Sequence, residues 1–197
     1  MENDKAAGTR RRLTRQDRYR QLIDVAWGIA REEGTDALTL GRLAEKAGVA
    51  KPVVYDHFAT RPGLLAALYR EFDTHQTEIM DAAIATAEPS LKSLATVIAS
   101  SYVDCVLTQG REIPGVIAAL ESTPELEKIK REYEAAFMEK CRRLLLPHAR
   151  QSGIRPAGLW AMLGAAEALS NAAATGDIAA ADAKAELVET IMAMVSR

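Results

Sequence analysis

Cysteine, histidine and aromatic residues are all scarce in this sequence of 197 residues. Its two cysteines, Cys105 and Cys141, are too few for a disulfide framework, so we expect them to be reduced, buried and small apolar side chains. The three histidines are scattered and have no spacing typical of a metal site. We therefore expect neither a metal nor another cofactor.

The sequence also lacks signals for membrane insertion and for export. No run of about 18 apolar residues is free of charge, which argues against a transmembrane helix. The first residues, MENDKAAGTRRRLTRQ, contain no apolar segment of the kind found in signal peptides. We therefore expect a cytoplasmic protein that has no membrane partner.

Strand signals are few, and alanine-rich segments with helical periodicity dominate, so the predicted fold class is all-α. The net charge of −2 is unevenly distributed, because residues 1–70 carry a net +4 and residues 71–197 a net −6. A basic N-terminal part with an acidic remainder favours a polyanion partner for the N-terminal part only.

A compact motif, TLGRLAEKAGVAKPVVYDHF, occupies residues 39–58. Thr39 is a good N-cap residue, and apolar residues at helical spacing follow it. Gly48 stands where the first helix must end, because glycine adopts the left-handed conformation at low cost. Pro52 suits the first turn of a second helix, where backbone N–H groups lack helical partners. The motif is therefore predicted to be a helix-turn-helix, whose second helix can enter a DNA major groove.

The second helix of the motif has an outward face that suits DNA. Val54 and Phe58, four residues apart, can face inward, which leaves the others outward: Lys51, Pro52, Val53, Tyr55, Asp56 and His57. Cations and hydroxyl groups bind phosphates, and small apolar groups contact thymine methyl groups. The same spacing also fits an ordinary pair of helices with one solvated face.

The motif resembles the signature of the tetracycline-repressor (TetR) family of bacterial transcription regulators. The resemblance is carried by Thr39-Leu40, Leu43-Ala44, Ala47-Gly48-Val49, Tyr55, His57-Phe58, Arg61 and Leu64-Leu65. It covers about the first third of the chain, and the rest is similar only in length and helical layout. It implies a regulator that binds a palindromic operator as a two-fold dimer, usually to repress, and that a small-molecule effector releases from double-stranded DNA.

The resemblance also implies roles for individual residues. Lys51, Pro52 and Val53 match positions that approach bases, and Thr39, Tyr55, His57 and Arg61 match phosphate contacts. Thr60 is expected to cap the next helix, whose N–H groups and positive dipole end would favour a phosphate. Two residues depart from the family pattern. Ala50 replaces the usual capping Ser or Thr, and Asp56 repels phosphate unless it accepts from a cytosine amino group.

Three regions are predicted along the chain. Residues 1–13 form a polar arm, with Arg10-Arg11-Arg12 near its end, that is either a solvated tail or reaches the DNA beside the bound helix. Residues 14–72 form the helix-turn-helix domain, which begins with a helix capped by Thr14. Residues 73–197 form a helical ligand-binding and dimerisation domain. A long fourth helix, 62–86, carries Ile79 and Met80 at its far end and joins the two domains as a possible lever.

The fifth predicted helix, about 91–109 with Gly110 as its stop, has an apolar line that turns polar at Ser101, Tyr102, Cys105 and Thr108. Neighbouring helices can satisfy these groups, or they can face a ligand cavity. The second alternative predicts a cavity among helices 5, 7 and 8 for a mainly apolar molecule. Its predicted lining is Tyr102, Cys105, Phe137, Trp160, Glu167 and Asn171. Glu167 could pair with a cationic ligand or lie on an exposed rim.

Two C-terminal helices, 156–175 and 181–195, are the eighth and ninth predicted helices. The first is apolar on nearly all sides, and the second has Leu187 and Ile191 on one face. These faces could pair helices 8 and 9 with a second copy in a homodimer, or could close the bundle of one chain. No catalytic constellation or phosphate loop is visible, so an enzyme is not expected. The alternative is a helical enzyme or carrier with an incidental helix-turn-helix.

Overall fold

The structure is a computed structural model that describes residues 13–109, 112–121, 123–150 and 153–197. Within these ranges the chain consists of helices and connecting segments without strands, so the all-α prediction is confirmed. The α-helices are α1 (Arg15–Glu33), α2 (Leu40–Ala47), α3 (Lys51–Phe58), α4 (Arg61–Thr86), α5 (Leu91–Gln109), α6 (Glu112–Leu120), α7 (Pro124–Leu145), α8 (Pro156–Thr175) and α9 (Ala180–Val195). The predicted arm up to residue 12 and the predicted stop at Gly110 lie outside the described residues.

The N-terminal helices begin and end at the residues that the sequence indicates. The side-chain oxygens of Thr14, Thr39 and Thr60 each accept a hydrogen bond from a backbone N–H three residues later. Gly48 ends α2 with a φ of 64°, the left-handed conformation that favours glycine. α2 and α3 therefore form the predicted helix-turn-helix.

Two local features in this region were not predicted. A short 3₁₀ turn, Thr35–Ala37, fills the connection between α1 and α2. Ala59, between α3 and α4, has a φ of 56°, which is uncommon for a residue other than glycine. The change of direction after α3 is therefore held by the packing on either side of it rather than by a residue suited to the turn.

Two hydrophobic clusters form the interior. The first joins α1, α2, α3 and the first half of α4 to residues of α5, α6 and α7, among them Cys105, Val116 and Leu126. The second is built from the far half of α4 with α5, α7, α8 and α9. Because the first cluster includes residues beyond position 72, the head (residues 14–72) packs directly on the body (the described residues from 73 onward).

Within the described residues, α5 is long and apolar enough over Leu91–Thr108 to cross a membrane by length and composition. Its buried side chains, which include Leu94, Ile98 and Val103, belong to the second cluster. Packing against α8 and α9 accounts for the apolar character of α5, as expected for a central helix of a bundle.

The structure places the apolar residues of α4 and α9 differently. Ile79, near the far end of α4, is exposed, whereas Leu187 and Ile191 on α9 are fully buried within the single chain. The interpretation of Leu187 and Ile191 as a face for a second copy is therefore wrong, because both side chains already fill the second cluster. A partner would have to use the opposite sides of α8 and α9.

Candidate nucleic-acid interface and interior site

The predicted reading helix, α3, presents the expected face to solvent. Val54 and Phe58 are buried and fix the helix on the head, while Lys51, Pro52 and Tyr55 are exposed and Val53 is half-buried. Asp56 is exposed on the same helix. Ala50 occupies the N-cap position without a side-chain hydrogen bond. The N-terminal turn of α3 therefore offers a cation and small apolar groups at the position from which recognition helices contact bases.

His57 lies at the edge of a ring cluster rather than free on the surface. Its ring centroid is 6.1 Å from that of Tyr19 and 6.0 Å from that of Phe58. Partial burial, reinforced by Arg15 and Arg18 and opposed by Asp56, lowers the pKa of His57 below 6.5. The imidazole is therefore neutral at pH 7, so it can offer a phosphate a hydrogen bond but no charge.

The two predicted phosphate-binding threonines share one geometry. Thr39 Oγ1 accepts from the Arg42 N–H at 3.1 Å, and Thr60 Oγ1 accepts from the Gly63 N–H at 3.1 Å. Both residues are exposed at the start of a helix, where the helix dipole favours an anion. A hydroxyl that accepts from the backbone still has its own hydrogen to donate to a phosphate oxygen.

Arg61 has a structural role that the sequence did not indicate. Its Nε donates to the Leu38 carbonyl at 2.9 Å and its Nη2 donates to the Thr35 carbonyl at 3.1 Å. These bonds tie the start of α4 to the connection between α1 and α2 and satisfy carbonyl groups there. A phosphate contact by Arg61 stays a prediction, and it would have to use the remaining donors of the guanidinium.

A second set of charges on the head also escaped the sequence reading. Arg42 on α2 forms two hydrogen bonds with Glu33 on α1, at 2.8 and 2.9 Å, and Lys46 contacts Glu32 and Glu33 at 3.1 Å. Hydrogen bonds from Arg42 and Lys46 lower the pKa of Glu33 to about 2. Since these groups are near the surface, the network fixes the angle between α1 and α2 more than it adds stability.

The predicted sensor residues are only partly brought together. Tyr102 and Phe137, whose ring centroids are 5.5 Å apart, line an interior cavity of about 30 Å³ with Glu167. Tyr102, Glu167 and Asn171 also line a cleft of about 430 Å³ between α5, α6, α7 and α8. The cleft and the cavity share Tyr102 and Glu167, so the two lie next to each other.

Two of the predicted sensor residues lie elsewhere. Trp160 is 53% exposed, so its assignment to an internal cavity is wrong. It borders an outer cleft of about 580 Å³ that shares Glu134 and Glu167 with the cavity. Its position on α8 turns the indole ring away from the bundle. Cys105 is 1% exposed and belongs to the cluster that joins head and body. Burial raises the pKa of the Cys105 thiol to about 11, so the side chain is a neutral apolar group.

The interior cavity is lined by polar groups that the sequence reading missed. Asp73 and Gln76 on α4 and Glu134 on α7 line it together with Glu167. Their signal was present in the sequence: Asp73 and Gln76 lie on the helical face that also carries Tyr69, Phe72 and Met80. The prediction that α5 faces a ligand rested on polar residues within an otherwise apolar helical face. Asp73 and Gln76 form the same pattern on α4.

One lysine forms ion pairs with three carboxylates beside this cavity. Lys130 Nζ lies 2.8 Å from Glu134 Oε1, 3.0 Å from Glu121 Oε1 and 3.5 Å from Glu167 Oε1. Burial raises the pKa of Glu167 despite the lysine, and burial raises the pKa of Asp73 to about 6. The three carboxylates outnumber the one lysine that contacts them.

The comparisons with known proteins confirm the resemblance to the TetR family. The family model described as "Bacterial regulatory proteins, tetR family" matches residues 22–68. A curated relative, the HTH-type transcriptional activator FasR of Mycolicibacterium smegmatis, is 41% identical over 71 residues. That match covers 34% of this chain and 32% of FasR, so the shared part is about a third of the relative's length.

Solved structures extend the likeness in fold to nearly the whole chain. A TetR-family transcriptional regulator from Streptomyces coelicolor has a TM-score of 0.73 at 17% identity, covering 92% of this chain and 97% of its own. The fatty acid degradation regulator FadR from Bacillus halodurans has a TM-score of 0.73 at 17% identity, covering 90% and 94%. At these identities the likeness concerns the arrangement of helices.

Proposed function

We propose that this chain, which carries the DNA-binding domain of the TetR family of bacterial transcription regulators, is a dimeric repressor released from its operator by a small molecule. The observation that carries the proposal is the helix-turn-helix at residues 39–58, which lies within the part that matches the family. FasR, which is similar over 71 residues, is named an activator, so whether this chain represses or activates is the first point to measure.

The proposed DNA contacts follow from the exposed face of α3. Lys51, Pro52 and Val53 in its first turn would approach base edges. Thr39, Tyr55, His57 and Thr60 would bind phosphates on either side and so fix the orientation of the head. Asp56 would be tolerated beside a cytosine amino group, which can donate to a carboxylate.

The proposed dimer uses the outer sides of α8 and α9. An exposed stripe on the first half of α8, Ala157 and Ala161, consists of small residues that are not part of the cleft lining, and α9 also has exposed alanines, Ala185 and Ala193. Small side chains allow two helices to approach closely. A two-fold dimer would place two α3 helices about 34 Å apart, which is one turn of DNA and suits a palindromic operator.

Two physical links support coupling between the sensor cavity and the head. α4 is continuous from Arg61 to Thr86 and contributes Asp73 and Gln76 to the cavity. α6 contributes Ile117 to the same cavity. At Gly115 of α6, an added Cβ would lie 2.5 Å from Thr35 Oγ1, so α6 rests directly on the connection that Arg61 holds.

The test is operator binding by the full chain. DNA selected by the protein from a random duplex library should be retarded in a gel, and Lys51→Ala should weaken that binding by about 1–3 kcal/mol and relax sequence preference. Lys92→Ala is the matched control, since it removes an exposed lysine from α5, far along the chain from the head. No selected sequence, or equal loss in both variants, would overturn the proposal.

A further inference from the structure

We infer that the effector carries a primary ammonium group, which binds in the interior cavity among Asp73, Gln76, Glu134 and Glu167 while its apolar body lies in the adjoining cleft. This inference rests on the proposed function and names the chemical class of the small molecule. The four polar side chains come from three helices, α4, α7 and α8, and converge on one cavity.

Charge at the cavity favours a cation. Three of its lining residues are carboxylates, and the lysine in contact with two of them, Lys130, is shared with a further carboxylate, Glu121. Lys140, which influences Asp73 electrostatically, lies 2.6 Å from Asp81. An anionic group in the cavity would be repelled by these carboxylates, whereas an ammonium group would balance the negative charge that Lys130 leaves.

Gln76 is an independent indication that something polar binds here. The residue is only 7% exposed, it lines the cavity, and its Nε2 has no hydrogen-bond partner within the described part of the chain. A buried amide without a partner is costly. In the present orientation the atom without a partner is a donor; an amide rotated by 180° would place its oxygen there, and that oxygen can accept from an ammonium group.

The size and surface of the cavity restrict the group that fits. A volume of about 30 Å³ has room for a group close to water in size, which suits a primary ammonium and is too small for a bulkier quaternary one. The three N–H donors of a primary ammonium match the three carboxylates. Aromatic rings complete the lining, Tyr69 and Tyr133 with centroids 5.5 Å apart among them, and their faces attract cations.

The cleft beside the cavity would hold the rest of the effector. It measures about 430 Å³ and shares Tyr102, Val106, Ile117 and Glu167 with the cavity. The rest of its lining combines small or apolar residues, Ala118, Gly164 and Ala168, with the polar Glu121, Lys130 and Asn171. The apolar part of this lining suits an aliphatic or aromatic body.

The experiment compares three probes of matched length, octylammonium, octanoate and octanol, by isothermal titration calorimetry of the full chain at pH 7.5. Octylammonium should bind at least about tenfold more tightly than octanoate, with octanol between them. Asp73→Asn and Glu167→Gln should each weaken octylammonium by about tenfold. Glu125→Gln removes the same charge from an exposed site on α7 and should change nothing.

Charge reversal gives the sharpest outcome. Glu167→Lys, at a residue that is half-buried on the rim of the cavity, should exchange the preference from octylammonium to octanoate. Equal binding of all three probes, octanoate as the best ligand of the unaltered chain, or a cavity that takes up a water only would each overturn the inference. If selected DNA is still retarded in those cases, the failure concerns the ligand class and leaves the DNA-binding proposal standing.

Discussion

Head and body differ in what their interiors contain. The buried residues of the head are apolar, and its polar side chains work at the ends of helices, as Thr39, Thr60 and Arg61 do. Among the described residues, the four buried polar ones are Gln76, Ser101, Glu134 and Ser170, all in the body. The head is therefore held by apolar packing and helix caps, whereas the core of the body contains polar groups that need partners.

The largest expected effect comes from a pair of variants that distinguish folding of the body from dimerisation through it. Ile191→Asp puts a charge at a fully buried position and should unfold the chain, with a loss of more than about 4 kcal/mol. Ala161→Asp places the same charge on the exposed stripe of α8, and should leave the fold intact while giving monomers. Urea denaturation followed by circular dichroism reports the first effect, and sedimentation reports the second.

If Ile191→Asp produced folded monomers, the side chain would have to leave the second cluster at little cost, contrary to its burial in the single chain. A dimer that survives Ala161→Asp would move the pairing surface away from the α8 stripe. The two variants therefore distinguish a core residue from an interface residue on neighbouring helices.

An intermediate effect tests the dependence of the head on local hydrogen bonds. Thr39→Ala removes the oxygen that accepts from the Arg42 N–H and should lower the free energy of unfolding by about 1 kcal/mol. Thr39→Ser keeps that oxygen and serves as the control. Equal urea midpoints for the two variants would show that the cap contributes nothing and that packing alone holds α2.

A further expected effect concerns charge inside the body. Burial raises the pKa of Asp73 from 3.8 to about 6, so the folded state binds this proton more tightly than the unfolded state. The stabilising contribution is complete below pH 3.8 and is lost as pH rises through 6. Asp73→Asn should therefore unfold at a higher temperature than the unaltered chain at pH 7.5, with the difference shrinking towards pH 4.

Thermal unfolding of Asp73→Asn and of the unaltered chain, measured between pH 4 and pH 7.5, tests the direction of this pH dependence. Glu33, whose pKa is lowered to about 2 by Arg42 and Lys46, contributes with the opposite sign but is the same in both proteins. A constant difference between pH 4 and pH 7.5 would mean that Asp73 titrates as an ordinary surface carboxylate.

The difference between head and body also explains what could be predicted from the sequence. Helix ends at Thr14, Thr39, Gly48 and Thr60 follow from interactions within four residues, and the structure has them where the sequence indicates. The continuity of α4 was predictable for the same reason, because no breaker interrupts its period.

Long-range contacts were not predictable in this way. The bonds from Arg61 to Leu38 and Thr35 span more than 20 residues, and nothing in the local pattern distinguishes them from a phosphate contact. Helical periodicity gives the apolar side of α9 but does not say whether the same chain or a second copy covers it, which is why Leu187 and Ile191 were misassigned. Trp160 was misplaced because both sides of α8 look apolar in sequence.

The joint between α3 and α4 has a consequence for how the molecule tolerates change. A Cβ at Gly63 would lie 2.1 Å from the Phe58 carbonyl oxygen, which is backbone and has little room to move. The angle between α3 and α4 therefore depends on the absence of a Cβ at Gly63. α4, with 26 residues, is about 39 Å long. A change of a few degrees in the angle between α3 and α4 therefore displaces the far end of α4 by about 3 Å. The exposed residues of α3 can be exchanged without disturbing this joint, whereas any side chain at position 63 would change the direction of α4.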